Sequence, residues 1–409
     1  MGSMITLGIG KMEIDWGKNN CFTDHSALFL SQDIKEIPYY YVDVDTEEPI
    51  VELKEGYSRK LSSIMNRLNL LGYTLDEIKN QYNTFLKEAE NFACNVNLTF
   101  EEFYRVISNI DLSKVDSVSI AVEYDENGYD LGEYARRCIL DDSEIKDKLY
   151  ELIDHSEQRY YIGEFFENID PYITLRILAE NPNNADLELQ WRFADVVENG
   201  WVEREEIVCP LPPNKRILLV TEGSSDSFIL REAIHNLFPD IADFFDFVDM
   251  EENYPFTGAG NLYNFCLGLA RIGIQNNTIV VFDNDSAGNE KYEQVHQIPM
   301  PRNLSITKLP ECIEFAYFLT VGPTGESMQD INGKAVAIEC FLDFNSLSIT
   351  PSVRWTSYNK RTQTYQGELI SKDEYIRKFK GCSLTDGTYD TKKLKFLINH
   401  LISTWINKK

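Results

Sequence analysis

The 409-residue sequence predicts two domains of different class: a mixed, mainly helical α+β domain over residues 4–208 and an α/β domain over 214–409, the latter with a mainly parallel sheet and flanking helices. Three observations carry this. The length exceeds what one hydrophobic core usually serves. Four apolar runs in the second half alternate with segments of helical period, as strands joined by crossover helices do. Between the halves, Cys209-Pro-Leu-Pro-Pro-Asn214 cannot continue a helix.

In the first half, short apolar patches up to about residue 52 (Ile5-Thr-Leu-Gly-Ile, Ser26-Ala-Leu-Phe-Leu, Tyr39-Tyr-Tyr-Val) suggest strands or irregular structure. Leu61, Ile64, Met65, Leu68 and Leu71 then fall at helical spacing, predicting a helix over 58–71. Thr74-Leu-Asp-Glu77 and Thr99-Phe-Glu-Glu102 are capping-box sequences that open helices running toward Asn91 and Ile110. A strand is expected over 115–123, and helices over 145–153 and 170–197. Met1-Gly2-Ser3 reads as an added leader, which puts the natural start at Met4.

In the second half, strands are expected over 216–220, 244–250, 278–282 and 303–308, with helices over 224–238 and 261–272. Phe228, Leu230, Ile234 and Leu237 supply the buried face of the first of these helices. Gly258-Ala-Gly260 has room for a phosphate at a helix start, but tight packing is the ordinary explanation of such a pair.

Two of these strands end abruptly in acids. Ile217-Leu-Leu-Val-Thr-Glu222-Gly-Ser-Ser-Asp226 and Thr278-Ile-Val-Val-Phe-Asp283-Asn-Asp285 place carboxylates at the carboxyl edge of a parallel sheet, where open α/β folds put their sites. Asp and Glu after a strand are also ordinary helix N-caps. An N-cap accounts for one acid per helix start, whereas here Glu222 is followed a turn later by Asp226, and Asp283 and Asp285 share one side of an extended segment. Four converging carboxylates repel one another, and a hard divalent cation relieves that repulsion. The expectation is a Mg2+ or Mn2+ site.

These elements resemble the Toprim domain, the α/β unit shared by topoisomerases, bacterial primases, recombination mediators and nucleases of the OLD class. Its marks stand here as Glu222-Gly223-Ser-Ser-Asp226 and Asp283-Asn-Asp285-Ser-Ala287-Gly288. The resemblance implies Glu222, Asp226, Asp283 and Asp285 as catalytic metal ligands. It also implies a later ligand, Glu339 in Ala337-Ile-Glu-Cys-Phe-Leu342, and a lysine for the developing phosphorane charge, Lys372. An exposed helical glutamate and a solvated lysine are the plain readings of those two. The first half is similar to the HEPN/Toprim-associated N-terminal module through Gly8-Ile-Gly-Lys-Met-Glu-Ile and His25-Ser-Ala-Leu-Phe. It lacks the Arg-x4–6-His signature of HEPN ribonucleases: His155 has no such Arg, and Arg231-Glu-Ala-Ile-His235 is too closely spaced. It is read as a recognition, regulatory or oligomerisation module.

A hydrophobic content of 43% with 12% aromatics excludes a disordered chain. The net charge of −27 repels a polyanion over most of the surface, so a nucleic-acid substrate requires a local basic patch, bound cations or a partner. Eight scattered cysteines without a C-x-x-C pair argue against zinc and a disulfide framework. No apolar stretch reaches the length of a membrane span, and a cytoplasmic location is expected. Together with the resemblance, this points to a metal-dependent nuclease for DNA or RNA in prokaryotic anti-phage defence, gated by a partner protein or homo-oligomer. The alternative is a non-cleaving Toprim scaffold that binds nucleic acid or protein. His235 and His296 are expected to be packing or surface residues.

Overall fold

The computed structural model describes residues 2–10, 12–43, 46, 48–89, 98–114, 165, 168–248 and 257–408. The strand expected over 115–123, the helix over 145–153, the end of the helix running to Asn91, residues 249–250 and His155 lie outside them. The chain divides into two compact units, Met1–Leu211 and Pro212–Lys409. Among the described residues no helix is long and apolar enough to cross a membrane.

The first unit is built on β1 (Met4–Ile9), β2 (Met12–Lys18), β3 (Ile34–Val42), β4 (Pro49–Lys60) and β5 (Glu188–Arg192), antiparallel throughout in the order β2-β1-β5-β4-β3. Its helices are α1 (Leu61–Leu71), α2 (Leu75–Ala89), α3 (Phe100–Ser108), α4 (Pro171–Leu178), α5 (Ala194–Glu198) and α6 (Arg204–Ile207). Two expectations need correcting. The helix over 58–71 starts only at Leu61, because Ser58 and Lys60 are still paired with Gln190 and Glu188 in the sheet. The helix over 170–197 is broken in three. Pro182 ends its first part, since the residue before a proline is driven out of the helical region. Apolar Leu189, Trp191 and Phe193 then alternate with polar Gln190 and Arg192, which is strand and not helix period, and β5 becomes the central strand, buried along nearly its whole length.

Trp191 anchors the core of this unit, with the Tyr57 ring stacked at 6.1 Å and 13°. The Thr99 capping box forms as expected, its hydroxyl accepting the Glu102 N–H and its own N–H donating to the Glu102 carboxylate. The Gly8-Ile-Gly run makes the β1–β2 hairpin: a side chain at Gly8 would sit 2.3 Å from the Met12 carbonyl, and Gly10 turns with a φ of 58°.

The second unit opens with β6 (Ile217–Val220), α7 (Ser224–Leu237), β7 (Phe245–Phe247), α8 (Ala259–Ile272) and β8 (Asn277–Phe282). Then come the two-residue β9 (Asn284–Asp285), α9 (Ser286–His296) and β10 (Leu304–Lys308). Strands β10-β8-β6-β7 form a parallel sheet, close to the expected boundaries. Helix α7 buries Ile229, Leu230, Ala233 and Ile234, so Phe228 and Leu237 lie at the margin of its apolar face and not at its centre.

Beyond β10 the sequence reading had no strands. Here β11 (Phe318–Gly322), β12 (Gly325–Gln329), β13 (Ala335–Val336), β14 (Val353–Asn359) and β15 (Thr364–Leu369) are followed by α10 (Lys372–Lys380) and α11 (Lys392–Ile406). Four of these strands form a second sheet in the order β12-β11-β14-β15, while β13 pairs with β9 and so ties this region to the end of β8.

Candidate metal and catalytic site

Strands β6 and β8 are neighbours, Val220 lying beside Val280, so the residues that follow them emerge at one edge of the sheet. There the Glu222 carboxylate accepts the Asp283 backbone N–H at 2.9 Å. The Glu222 carbonyl accepts the N–H of Gly258, whose φ of 82° is glycine territory. The left-handed backbone, and not close packing, accounts for Gly258, whereas a side chain at Gly260 would meet nothing within 4 Å and nothing in the structure requires that glycine.

Past Asp283 the chain stays extended. Asn284 is fully buried while Asp283 and Asp285 on either side are half-buried, the alternation expected of a strand. Asp285 caps α9 by accepting the Gly288 N–H at 2.7 Å, and its other oxygen accepts the Gln366 side-chain amide. Gln366 in turn accepts the Ala287 N–H at 3.1 Å. Both carboxylate oxygens of Asp285 therefore already have protein donors, so the N-cap role is real for this residue. Gly288 is fixed by contact: a Cβ there would lie 2.2 Å from the Asp283 carbonyl oxygen and 3.1 Å from the Glu222 carboxylate.

Asp226 sits in the first turn of α7, half-buried beside Ser225, whose hydroxyl donates to it at 3.2 Å. Glu339 is buried, 7% exposed, on the 3-10 turn Ile338–Phe341, which replaces the α-helix start expected for it. Lys372 is exposed at the first position of α10. It is preceded by Ser371 at a φ of 59° without a side-chain cap. A lysine at a helix N-terminus opposes the macrodipole, and a non-glycine left-handed residue costs about 1–2 kcal/mol. Asp373 and Glu374 in the same turn offset the opposition of Lys372 to the macrodipole.

The electrostatics tie these groups together. Burial pushes Glu222 up to about 8, with the charges of Asp285 and Asp226 adding to it. Asp226 is pushed up to about 7 by burial and then by Glu339, against the opposing pull of Lys372. Asp283 is raised well above the carboxylate range by burial and by Glu222, Asp226, Asp285 and Glu339 together. Glu339 is raised by burial, with Lys372 again opposing. Carboxylates held at raised pKa by burial and by one another suit a hard cation in donor type and charge. Among the described residues no three acidic, histidine or cysteine side chains are grouped closely enough to hold an ion as they stand. The fit is therefore one of chemistry and neighbourhood, with side-chain rotation needed to close it.

A family model for HEPN/Toprim N-terminal domain 1 matches residues 1–215, just over half of the chain. The chain belongs to that family. Neither the curated proteins nor the solved structures give a match.

In this HEPN/Toprim family member, sequence reading missed the polar residues that hold the acidic loop. Gln366 reaches Asp285 and Ala287 from β15, and Asn289 donates to the Asp285 carbonyl and the Asn284 side chain while accepting Lys308 at 2.7 Å. Neither belongs to a spaced motif. Lys308 had a weak signal, as the last residue of the strand beside β8. His235 and His296 are exposed, the latter edge-on to Tyr292.

Proposed function

We propose that the protein is a divalent-cation-dependent phosphodiesterase acting on nucleic acid. The observation that carries this is the meeting of two acidic strand ends at the carboxyl edge of a parallel sheet, where the Glu222 carboxylate accepts the Asp283 N–H and the charges of Asp226 and Glu339 bear on Asp283. Glu222, Asp226, Asp283 and Glu339 are the residues that would hold Mg2+ or Mn2+, with Asp285 contributing through lone pairs left by its two donors. A bound divalent cation supplies a Lewis acid for a phosphate diester and raises the acidity of water.

The chain's own groups supply the rest. Glu222 is fixed by the Asp283 N–H, so its carboxylate is oriented before cation or substrate arrives. Lys372 is exposed and its charge bears on Asp226 and Glu339, so its ammonium is the group to offset charge on the phosphorane oxygens. The acidic exterior supports activity gated by a partner or by assembly. The pairing of a HEPN/Toprim N-terminal domain with a Toprim-like second half supports a place in anti-phage defence.

One observation favours the second reading, a non-cleaving interaction scaffold: both Asp285 oxygens are already engaged. A Mn2+-dependent cleavage assay on single- and double-stranded DNA and RNA separates the two. Wild type should cut and Glu222→Ala and Asp283→Ala should not; equal product from all three proteins overturns the enzymatic reading.

A further inference from the structure

The β14–β15 hairpin carries a surface that the acidic chemistry does not use. Tyr358 and Tyr365 are direct cross-strand partners with rings 5.1 Å apart, and Trp355 lies 6.2 Å from Tyr365 on the same strand pair. Both tyrosines are more than half exposed, at 51% and 55%. Aromatic cross-strand pairs stabilise hairpins, and here the pair also leaves about half of each ring open to water.

Charge sets this hairpin apart from the rest of the molecule. Within Val353–Leu369 stand Arg354, Lys360 and Arg361 against the single acid Glu368, in a chain whose net charge is −27. Lys360 is exposed and has no carboxylate partner among the described residues, whereas Arg354, also exposed, stands opposite Glu368 in the strand register. Lys372 follows three residues after the hairpin's last strand.

The hairpin is also held rigidly at the acidic loop. Asn359 and Arg361 bond the Glu290 carboxylate on α9 at 3.0 and 3.2 Å, and Gln366 bonds Asp285 and Ala287. Successive strand residues face opposite ways, so Gln366 turns to the acids while its neighbour Tyr365 turns to solvent. Gly367 permits the close seating: a Cβ there would lie 2.8 Å from Ala335, which is paired with Asp285.

Exposed aromatic faces interleaved with unpaired cations are how proteins hold unstacked bases and their phosphates. A duplex keeps its base faces stacked and offers nothing to these rings. We propose that the β14–β15 hairpin is a landing surface for single-stranded nucleic acid, with bases stacking on Tyr358 and Tyr365, a phosphate meeting Lys360 at the turn, and the strand led toward the acidic loop. This rests on the phosphodiesterase reading for its purpose but not for its test.

The test is fluorescence anisotropy with labelled 20-nucleotide oligo-dT, oligo-rU and a 20-base-pair duplex in EDTA, where no metal-dependent cutting occurs. Wild type should bind the single strands more tightly than the duplex, and the dT and rU arms show which sugar is preferred. Tyr358→Ala with Tyr365→Ala should weaken single-strand binding roughly tenfold or more, while the double Phe replacement keeps it. Lys360→Ala should lower the slope of log affinity against log salt by about 0.7. Leu at both tyrosines, retaining apolar area without a π face, should behave like Ala and keep the melting temperature. Absent wild-type binding, a duplex preference, or unchanged affinity in the Ala variant overturns the proposal. So does loss of self-association in the Ala variant with unchanged nucleic-acid affinity, which would make the face a protein contact. Because binding is read without cleavage, a Glu222→Ala protein that still cuts would sink the phosphodiesterase reading alone.

Discussion

The Glu222 carboxylate and the Asp283 backbone N–H meet at 2.9 Å across 61 residues of chain, so one acidic strand end holds the other in place. Glu222 therefore has a structural duty besides any chemical one. Replacing it with Ala leaves the Asp283 N–H unpaired and should cost about 1–3 kcal/mol of stability at pH 6. Gln retains an acceptor oxygen and should cost less. Both should lose metal-dependent activity, and chemical denaturation of the two variants beside wild type checks the ranking.

Gly288→Ala is expected to damage the site without touching an acid. Its new methyl would press on the Asp283 carbonyl, which is backbone and moves little. A loss of about 1–3 kcal/mol is expected. Cleavage should fall with it, because the displaced residue is Asp283. An unchanged melting temperature and unchanged rate would mean the loop is built otherwise.

Stability without metal should fall as pH rises. The folded-state values of Glu222 and Asp226 lie above their ordinary ones, at about 8 and about 7, so their contribution is complete below about pH 4 and lost as pH climbs through 7–8. Asp226→Asn should then stabilise the metal-free protein at pH 8 by on the order of 2 kcal/mol and do little at pH 5. Thermal melts in EDTA across pH 5–8 read this directly. Mn2+ at about a hundred times its Kd should raise the melting temperature by roughly 5–10 °C at pH 8, and by less at pH 5, where protons compete for the same oxygens. A metal-free protein whose stability climbs between pH 5 and 8 would contradict the assignment of buried acids.

Gln366 is a positioning residue in this account. Gln366→Leu removes the donor to Asp285 and the acceptor for Ala287, so Mn2+ affinity measured calorimetrically should drop about tenfold while the fold survives. Gln366→Glu should be worse than Leu, because it sets a second carboxylate against Asp285.

The acidic strand ends were legible because their signal is local. β-Branched runs that end in Glu222 and Asp283 announce both the strand and the edge at which the acids emerge. Trp191 and Leu189 carried an equally plain two-residue period, but it was short and lay inside a stretch with helical composition, so β5 was read as helix. The β14–β15 hairpin was illegible for another reason: Arg354, Thr356, Ser357 and Tyr358 face water, and a strand without a buried alternation has no pattern to read. The partnership of Gln366 with Asp285 spans 81 residues and depends on that hairpin, so no spacing rule reaches it.

The central claim is that Asp226 and Asp283 bind a divalent cation together, and the direct measurement is electron paramagnetic resonance of free Mn2+ titrated with protein at pH 8. Wild type should deplete the free-ion signal saturably, Mg2+ should restore it, and Asp226→Asn and Asp283→Asn should each lose at least tenfold in affinity. A wild-type protein that leaves the signal untouched, or variants that deplete it equally, would contradict the account.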